Sequence, residues 1–192
     1  QRSRVESGSV LFDGEDLLAL DEREMQKRIR GRAIGFIPQD PYLSLNPVFT
    51  VGAQLLEVLR SYGAPGEAAG VSRGVGGRAQ HRARIVELLR AVQLPDPEIA
   101  LQRYPHGFSG GQRQRLLIAA ALACRPKLLL ADEPTTALDV TTQQQILQLL
   151  KKLVDEFDIS MLLVSHDFGV IAQLCDTVSV LYAGQTAETG LT

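Results

Sequence analysis

The chain has 192 residues, with 20 Lys plus Arg against 22 Asp plus Glu and a formal charge of −2. With 45% hydrophobic and 22% charged residues, it has an ordinary globular composition and is long enough to enclose one sizeable core. The near-neutral charge excludes a protein that holds nucleic acid by bulk positive potential, and the longest apolar run, the nine residues Leu116 to Cys124, is far too short to span a bilayer.

Gln1 to Ser9 is polar and charged, unlike a signal peptide. Ser9 to Gly14 reads as a short strand closed by an Asp-Gly turn. The charged stretch Asp21 to Arg32 predicts a surface helix, and the apolar run Ala33 to Ile37, ended by Pro38, predicts a buried strand. Pro41 and Pro47 keep the next loop irregular, after which Thr50 can cap a helix carrying Leu55, Leu56 and Leu59 on one face. Six glycines in the fifteen residues Gly63 to Gly77 mark a flexible linker. Helical spacing returns at Ile85, Leu88, Leu89 and Val92; Leu94 to Phe108 is a loop; a further helix runs through Leu116, Ala119, Ala120 and Ala123.

From Lys127 onward strands and helices alternate. Leu128 to Ala131, Met161 to Val164 and Val178 to Tyr182 are apolar strands, and Ile146, Leu149, Leu150, Leu153 and Phe157 form a helical stripe between the first two. Continuously apolar strands separated by amphipathic helices predict a parallel sheet covered on both faces. The stretch from about Thr50 to Arg125 is mostly helical and interrupts that alternation, so it is expected to be a helical lobe inserted into an α/β core. Cys124 and Cys175 lie 51 positions apart, form no CxxC and suit a reducing, cytosolic compartment.

In open α/β sheets ligands gather at the carboxyl ends of the strands. The strand at Leu128 ends in Asp132-Glu133-Pro134. Two adjacent carboxylates after a buried run are costly without a cation or hydrogen-bond donors, and an apolar strand ending in Asp has the form of a Walker B strand, whose Asp holds Mg²⁺ through its water shell. An exposed acidic turn closed by Pro134 accounts for that segment equally well. The strand at Met161 ends in Ser165-His166-Asp167, and Ile37 runs into Pro38-Gln39-Asp40. His166 could donate to a phosphate oxygen, but a lone His there is more often a packed or capping residue; Gln39 could reach a metal or water, or be an ordinary loop amide. More specific is Phe108-Ser-Gly-Gly-Gln112-Arg-Gln-Arg115. Ser109 can cap the following helix, Gly110 and Gly111 allow close backbone approach, and the positive helix end suits a phosphate. Arg113 and Arg115 are expected to reinforce that field.

With these residues in place the chain resembles the ATP-binding-cassette (ABC) ATPases. Phe108 to Gln112 is similar to their signature motif, Gln39 to the Q-loop glutamine, Leu128 to Glu133 to the Walker B strand with its catalytic Glu, Ala137-Leu138-Asp139 to the D-loop, and His166 to the switch histidine. The elements occur in the family's order, from about Gly8 to Gly190. The loop Gln39 to Pro47, Tyr104-Pro-His106 and Ala131 to Val140 further resemble the ATPases of dipeptide, oligopeptide and nickel importers.

The resemblance implies an α/β, P-loop-type ABC nucleotide-binding domain with a mostly parallel sheet. Residues 1–49 and 126–192 would form the ATPase core and 50–125 the helical subdomain that carries the signature. It implies head-to-tail pairing with a second ABC ATPase subunit, the same or a related one. Ser109, Gly110, Gly111 and Gln112 would then face ATP bound to the partner. Asp132 would orient Mg²⁺, Gln39 would link metal or water to the transport subunit, Glu133 would act as general base or position the water, His166 would stabilise the γ-phosphate, and Asp139 would communicate across the pair. Two transmembrane permease subunits, contacted by the helical lobe and the apolar loop Tyr42 to Phe49, and indirectly an extracytoplasmic substrate-binding protein, would complete an importer at the cytoplasmic face of the membrane, with no nucleic acid involved. A non-transport ABC ATPase acting on DNA or ribosomes is the rival expectation, and a catalytically dead module a third.

One family element is missing. The chain has no Gly-Lys dipeptide, hence no GxxxxGK[ST] loop to cradle phosphates. Glu6-Ser-Gly-Ser9 matches only part of one. The expectation is a segment that begins downstream of that loop and stops short of the family's usual C-terminus, inactive by itself. Gly74-Val-Gly-Gly-Arg-Ala79 satisfies a dinucleotide-binding pattern with Asp96 further on, but a polar stretch and not a strand precedes it. His81 and His106 have no second ligand nearby in sequence and predict no metal site.

Overall fold

The computed structural model describes residues 5–63 and 75–192, so most of the glycine-rich linker lies outside the described residues. Asp13 and Gly14 both take positive φ, 51° and 80°, the backbone of a tight hairpin turn. They join β1 (Leu11–Phe12) to β2 (Glu15–Asp16) as an antiparallel pair. The helix expected over Asp21 to Arg32 is shorter and broken. A single turn, α1 (Glu22–Glu24), is capped by Asp21, whose carboxylate accepts from the Glu24 amide at 2.7 Å, and a π-helical turn, Met25–Ile29, follows it. The wider turn buries Ile29 while Arg28 reaches Glu15 of β2 at 2.6 Å.

Three strands form a parallel sheet in the order β3 (Ile34–Ile37), β4 (Leu128–Asp132), β5 (Ser160–Val164). Ile37, Ala131 and Leu163 stand side by side in register. Gly35, Ile37, Leu129 and Ala131 are buried under helices α5 and α6, introduced below, whereas Phe36, Leu162 and Val164 are 55%, 57% and 54% exposed. Among the described residues the sheet is therefore covered on one face, not on both as the apolar strands suggested. The strand order explains this. Sequence order and spatial order agree, so two right-handed crossovers place both connecting helices on the same side. Close packing on that side requires Gly35, since a Cβ there would stand 2.6 Å from the Ala121 carbonyl oxygen of α5.

Between β3 and β4 the described chain is helical: α2 (Val51–Tyr62), α3 (Val75–Ala91), α4 (Pro97–Ala100) and α5 (Gly110–Leu122). Thr50 caps α2 by accepting from the Ala53 amide at 3.3 Å. Leu94 to Phe108 is not all loop, since it holds α4 and a 3₁₀ turn, Pro105–Gly107, each too short for a periodic signal. Gly76 and Gly77 lie inside α3 and not in a phosphate-binding turn, while Gly74 falls outside the described residues. One apolar cluster joins Leu55 and Leu59 of α2, Leu88 and Leu89 of α3 and Leu116 and Ile118 of α5 to the sheet and to Ile146 and Leu150 of α6 (Val140–Phe157). Each such leucine or isoleucine, moved from water into this core, contributes about 1.5–3 kcal/mol.

After β5 come α7 (Phe168–Leu174), β6 (Thr177–Tyr182) and β7 (Gln185–Leu191). The third apolar strand does not extend the parallel sheet. Ala183 and Gly184, at φ 48° and 78°, make a two-residue turn that returns the chain beside itself, and β6 pairs antiparallel with β7 in a separate ribbon. No helix among the described residues is long and apolar enough to cross a membrane.

Candidate active site

Because β3, β4 and β5 are parallel and in register, the loops that leave them emerge side by side. Gln39 follows β3, Glu133 follows β4 and His166 follows β5. The structure brings all three together. Gln39 Nε2 donates to Glu133 Oε2 at 2.8 Å, and His166 Nδ1 lies 2.9 Å from Glu133 Oε1. Thr136, in the same loop as Glu133, donates its hydroxyl to Oε2 at 2.9 Å. The Glu133 backbone is fixed by its amide, which donates to the Val164 carbonyl of the neighbouring strand at 2.9 Å, and it adopts φ 44°, a left-handed conformation uncommon for a residue with a side chain.

This setting perturbs both titrating partners. The hydrogen bond from His166, followed by that from Thr136, holds the Glu133 carboxyl below its ordinary range. Conversely, the bond to Glu133 and its negative charge raise the His166 imidazole. With Nδ1–H donating to Glu133, the other ring nitrogen of His166 is left for a different partner. The two side chains differ in exposure, 23% for Glu133 and 72% for His166, so the carboxylate is recessed and the histidine faces outward. Asp132 is half-buried at the last position of β4, one residue from Glu133.

The signature segment is built differently. Ser109 Oγ accepts from the Gln112 amide at 3.3 Å, and Gln112 Oε1 accepts from the Ser109 amide at 3.1 Å, a reciprocal capping box that fixes the start of α5. A Cβ at Gly111 would stand 2.4 Å from Thr142 Cγ2, and one at Gly110 would stand 2.9 Å from the Tyr42 hydroxyl. The paired glycines thus let α5 approach α6 and the loop after β3. Asp139 caps α6, accepting from the Thr142 amide at 3.0 Å, which keeps its carboxyl below the ordinary range.

Of the two arginines expected to strengthen the field at the start of α5, Arg115 is turned away and Arg113 stays beside it. Arg115 Nη1 donates to the Val92 carbonyl at the end of α3, at 2.8 Å, where the helix dipole favours a cation. Arg113 donates to the Phe108 carbonyl at 3.1 Å and lays its guanidinium 4.5 Å from the Tyr42 ring centre. In the loop Tyr42 to Phe49, Leu43, Val48 and Phe49 are exposed while Leu45 is buried. Beside it a groove of about 380 Å³ opens between the loop, α2 and α5, lined by Ser44, Leu45, Gln54, Leu55, Val58 and Leu117. His106 stacks on Tyr104, His81 is buried in α3, and no group of three or more His, Cys, Asp or Glu side chains among the described residues is arranged to hold a metal.

Sequence reasoning passed over Thr136, and it placed Tyr42 in the apolar loop without its contacts to Gly110 and Arg113. A hydroxyl residue three positions after the catalytic-type Glu was the available signal for Thr136; nothing local marks Tyr42, whose partners are distant in sequence.

Comparison with known proteins agrees with this architecture. A family model described as ABC transporter matches residues 1–136. The oligopeptide transport ATP-binding protein OppD of Bacillus subtilis is 50% identical over 183 residues, which are 95% of this chain and 48% of OppD. The dipeptide transport ATP-binding protein DppD of the same organism is 46% identical over 188 residues, 98% of this chain and 52% of DppD. The chain thus spans about half the length of the curated relatives it matches. Among solved structures, the dimeric ATP-binding cassette MJ0796 in a post-hydrolysis state with ADP and phosphate superposes with a TM-score of 0.77 at 32% identity, covering 97% of this chain and 74% of that one.

Proposed function

This chain belongs to the ABC transporter family, and from that premise we propose that it is part of an ATPase that energises a membrane importer for peptides. The observation that carries the proposal is the convergence of Gln39, Thr136 and His166 on the carboxylate of Glu133 at the ends of three parallel strands. The names of OppD and DppD, both peptide-transport proteins, support the cargo class. No observation favours a clamp acting on DNA or ribosomes.

On this reading residues 1–49 and 126–192 serve as the ATPase core and 50–125 as the helical subdomain. Glu133 is held ionised by its donors and orients the water that attacks the terminal phosphorus of ATP. The water's proton leaves toward the carboxylate as the bond to the ADP oxygen breaks. His166, tied to Glu133 through Nδ1, presents Nε2 to the γ-phosphate. The donor set fits Mg²⁺, an ion that takes one or two protein oxygens and keeps water and phosphate for the rest. Asp132 is the carboxylate of the pair that Gln39, Thr136 and His166 leave untouched, and the Gln39 carbonyl oxygen is a second donor. When bound, the ion neutralises charge that builds up on the phosphates.

Ser109, Gly110, Gly111 and Gln112 act on nucleotide held by a second ABC ATPase subunit in a head-to-tail pair, and Asp139 lies in the segment that links the two sites. The dimeric state of MJ0796 supports this arrangement. The apolar loop Tyr42 to Phe49 and the adjoining groove suit a cytoplasmic segment of a permease subunit, which supports a location at the cytoplasmic face of the membrane; on this reading a substrate-binding protein outside delivers the peptide. The test is purification of the full-length protein from its host. Two integral membrane subunits should accompany it, and peptide uptake by the reconstituted assembly should depend on ATP. Recovery with ribosomes or DNA and no membrane subunit would overturn the reading. Within that assembly Ser109→Arg should block ATP-driven pairing and leave nucleotide capture intact; normal pairing would remove the signature assignment.

A further inference from the structure

A carboxylate offers about four acceptor positions, two on each oxygen. At Glu133, Oε2 accepts from both Gln39 and Thr136, at 2.8 and 2.9 Å, whereas Oε1 has His166 alone, at 2.9 Å. Oε2 is therefore filled and Oε1 keeps one position open, beside the histidine. The donors are not equivalent. Gln39 is 94 positions away and His166 33 positions away, each on another strand's loop. Thr136 belongs to the turn that Glu133 itself begins, closed by the Thr136 amide on the Glu133 carbonyl at 3.3 Å and followed by the Leu138 amide on Thr135 at 3.1 Å. Its hydroxyl is thus carried by the same short backbone unit as the carboxylate, at a residue whose positive φ fixes where the side chain leaves the strand.

We propose that Thr136 is the positioning residue of Glu133: its hydroxyl holds Oε2 and so directs Oε1, with its one open acceptor position, at the attacking water. Gln39 and His166 each have a second assignment, to metal or water and to the γ-phosphate, and each can leave the carboxylate when those ligands are present. Thr136 has no other assignment and stays. Its position between Glu133 and Ala137-Leu138-Asp139 also ties the orientation of the carboxylate to the segment against which Gly110 and Gly111 pack, through Leu138 and Thr142. The proposal rests on the reading of Glu133 as the residue that engages the water.

The test uses the full-length ATPase in its membrane assembly, with Thr136→Val removing the hydroxyl at nearly constant shape and Thr136→Ser restoring it. Loss of one hydrogen bond to a charged group should lower kcat by about tenfold in Thr136→Val, with KM for ATP within about twofold, and Thr136→Ser should return kcat to within about twofold of the parent. Parental kcat in Thr136→Val overturns the proposal, as does a defect confined to KM. A Thr136→Ser variant as slow as Thr136→Val also overturns it, because the methyl group and not the hydroxyl would then be what matters. Glu133→Gln separates the two levels: if it turns over like the parent, the reading of Glu133 falls and this proposal with it, whereas an inactive Glu133→Gln beside a fully active Thr136→Val removes the Thr136 assignment alone.

Discussion

Two corners of the molecule hold their candidate site residues in opposite ways. At the strand ends, Glu133 is held by side chains that reach it from three loops, two of them 94 and 33 positions distant. At the start of α5, Ser109 and Gln112 satisfy each other within four residues, and the glycines between them are used to pack against Tyr42, Leu138 and Thr142. The first corner exists only when the sheet is assembled. The second is a helix start whose own hydrogen bonds are local and whose glycines let it pack closely. The difference teaches that the cluster around Glu133 depends on registry between strands, while the segment Ser109 to Gln112 depends on a helix being brought close to its neighbours.

Substitutions can break or sharpen that contrast. The largest effect is expected for Glu133→Gln in the full-length ATPase, where steady-state hydrolysis should fall at least about a hundredfold, the range typical of a removed acid–base or water-orienting group. ATP-bound pairs should persist, as measured by size-exclusion chromatography, because the signature corner is untouched. Gly111→Ala attacks the other corner. Its new methyl meets Thr142 Cγ2 at 2.4 Å, so urea unfolding should show a loss of about 1–3 kcal/mol. Thr142→Ser, which removes that Cγ2, should recover most of the loss; no recovery would mean that the helix start fails for another reason. Ser109→Ala should cost about 1 kcal/mol through the lost cap and leave the contacts to Glu133 unchanged.

The smallest effect concerns protonation. Glu133 raises His166 above its ordinary 6.5 and is itself held below its ordinary 4.5. The histidine's share of this pairing is complete below its ordinary value and disappears as pH rises through the raised one. The glutamate's share is complete above its ordinary value and disappears as pH falls through the lowered one. The ion pair is therefore fully formed between about 4.5 and 6.5. Proton NMR of the 192-residue chain should show His166 titrating above 6.5, and Glu133→Gln should bring it down. An unchanged titration would show that the contact does not persist in solution.

What could be read in the sequence followed the range of the interactions. Thr50 and Ser109 are caps whose partners lie three residues on, and each is where local spacing put it; Asp139, read only as part of the D-loop, caps α6 in the same way. The apolar strands β4 and β5 and the stripe of α6 are equally legible, because one period describes each of them. The covering of the sheet was not legible. Phe36, Leu162 and Val164 are as apolar as Ile37, Leu129 and Ala131, and a run that is apolar on both sides says nothing about which side receives a helix. Arg115 also escaped, since its partner, the Val92 carbonyl, is chosen by the packing of α5 beside α3.

By itself the sequence determined the family, the order of the motifs and the local caps, because these are set by residue type and by spacings of a few positions. Only the tertiary structure decided that Gln39, Thr136 and His166 share one carboxylate, that the sheet is covered on one side, and that β6 turns back to pair with β7. Hydrogen bonds of 2.8 and 2.9 Å between distant residues require strand register and crossover handedness, both of which are fixed by packing the whole chain at once.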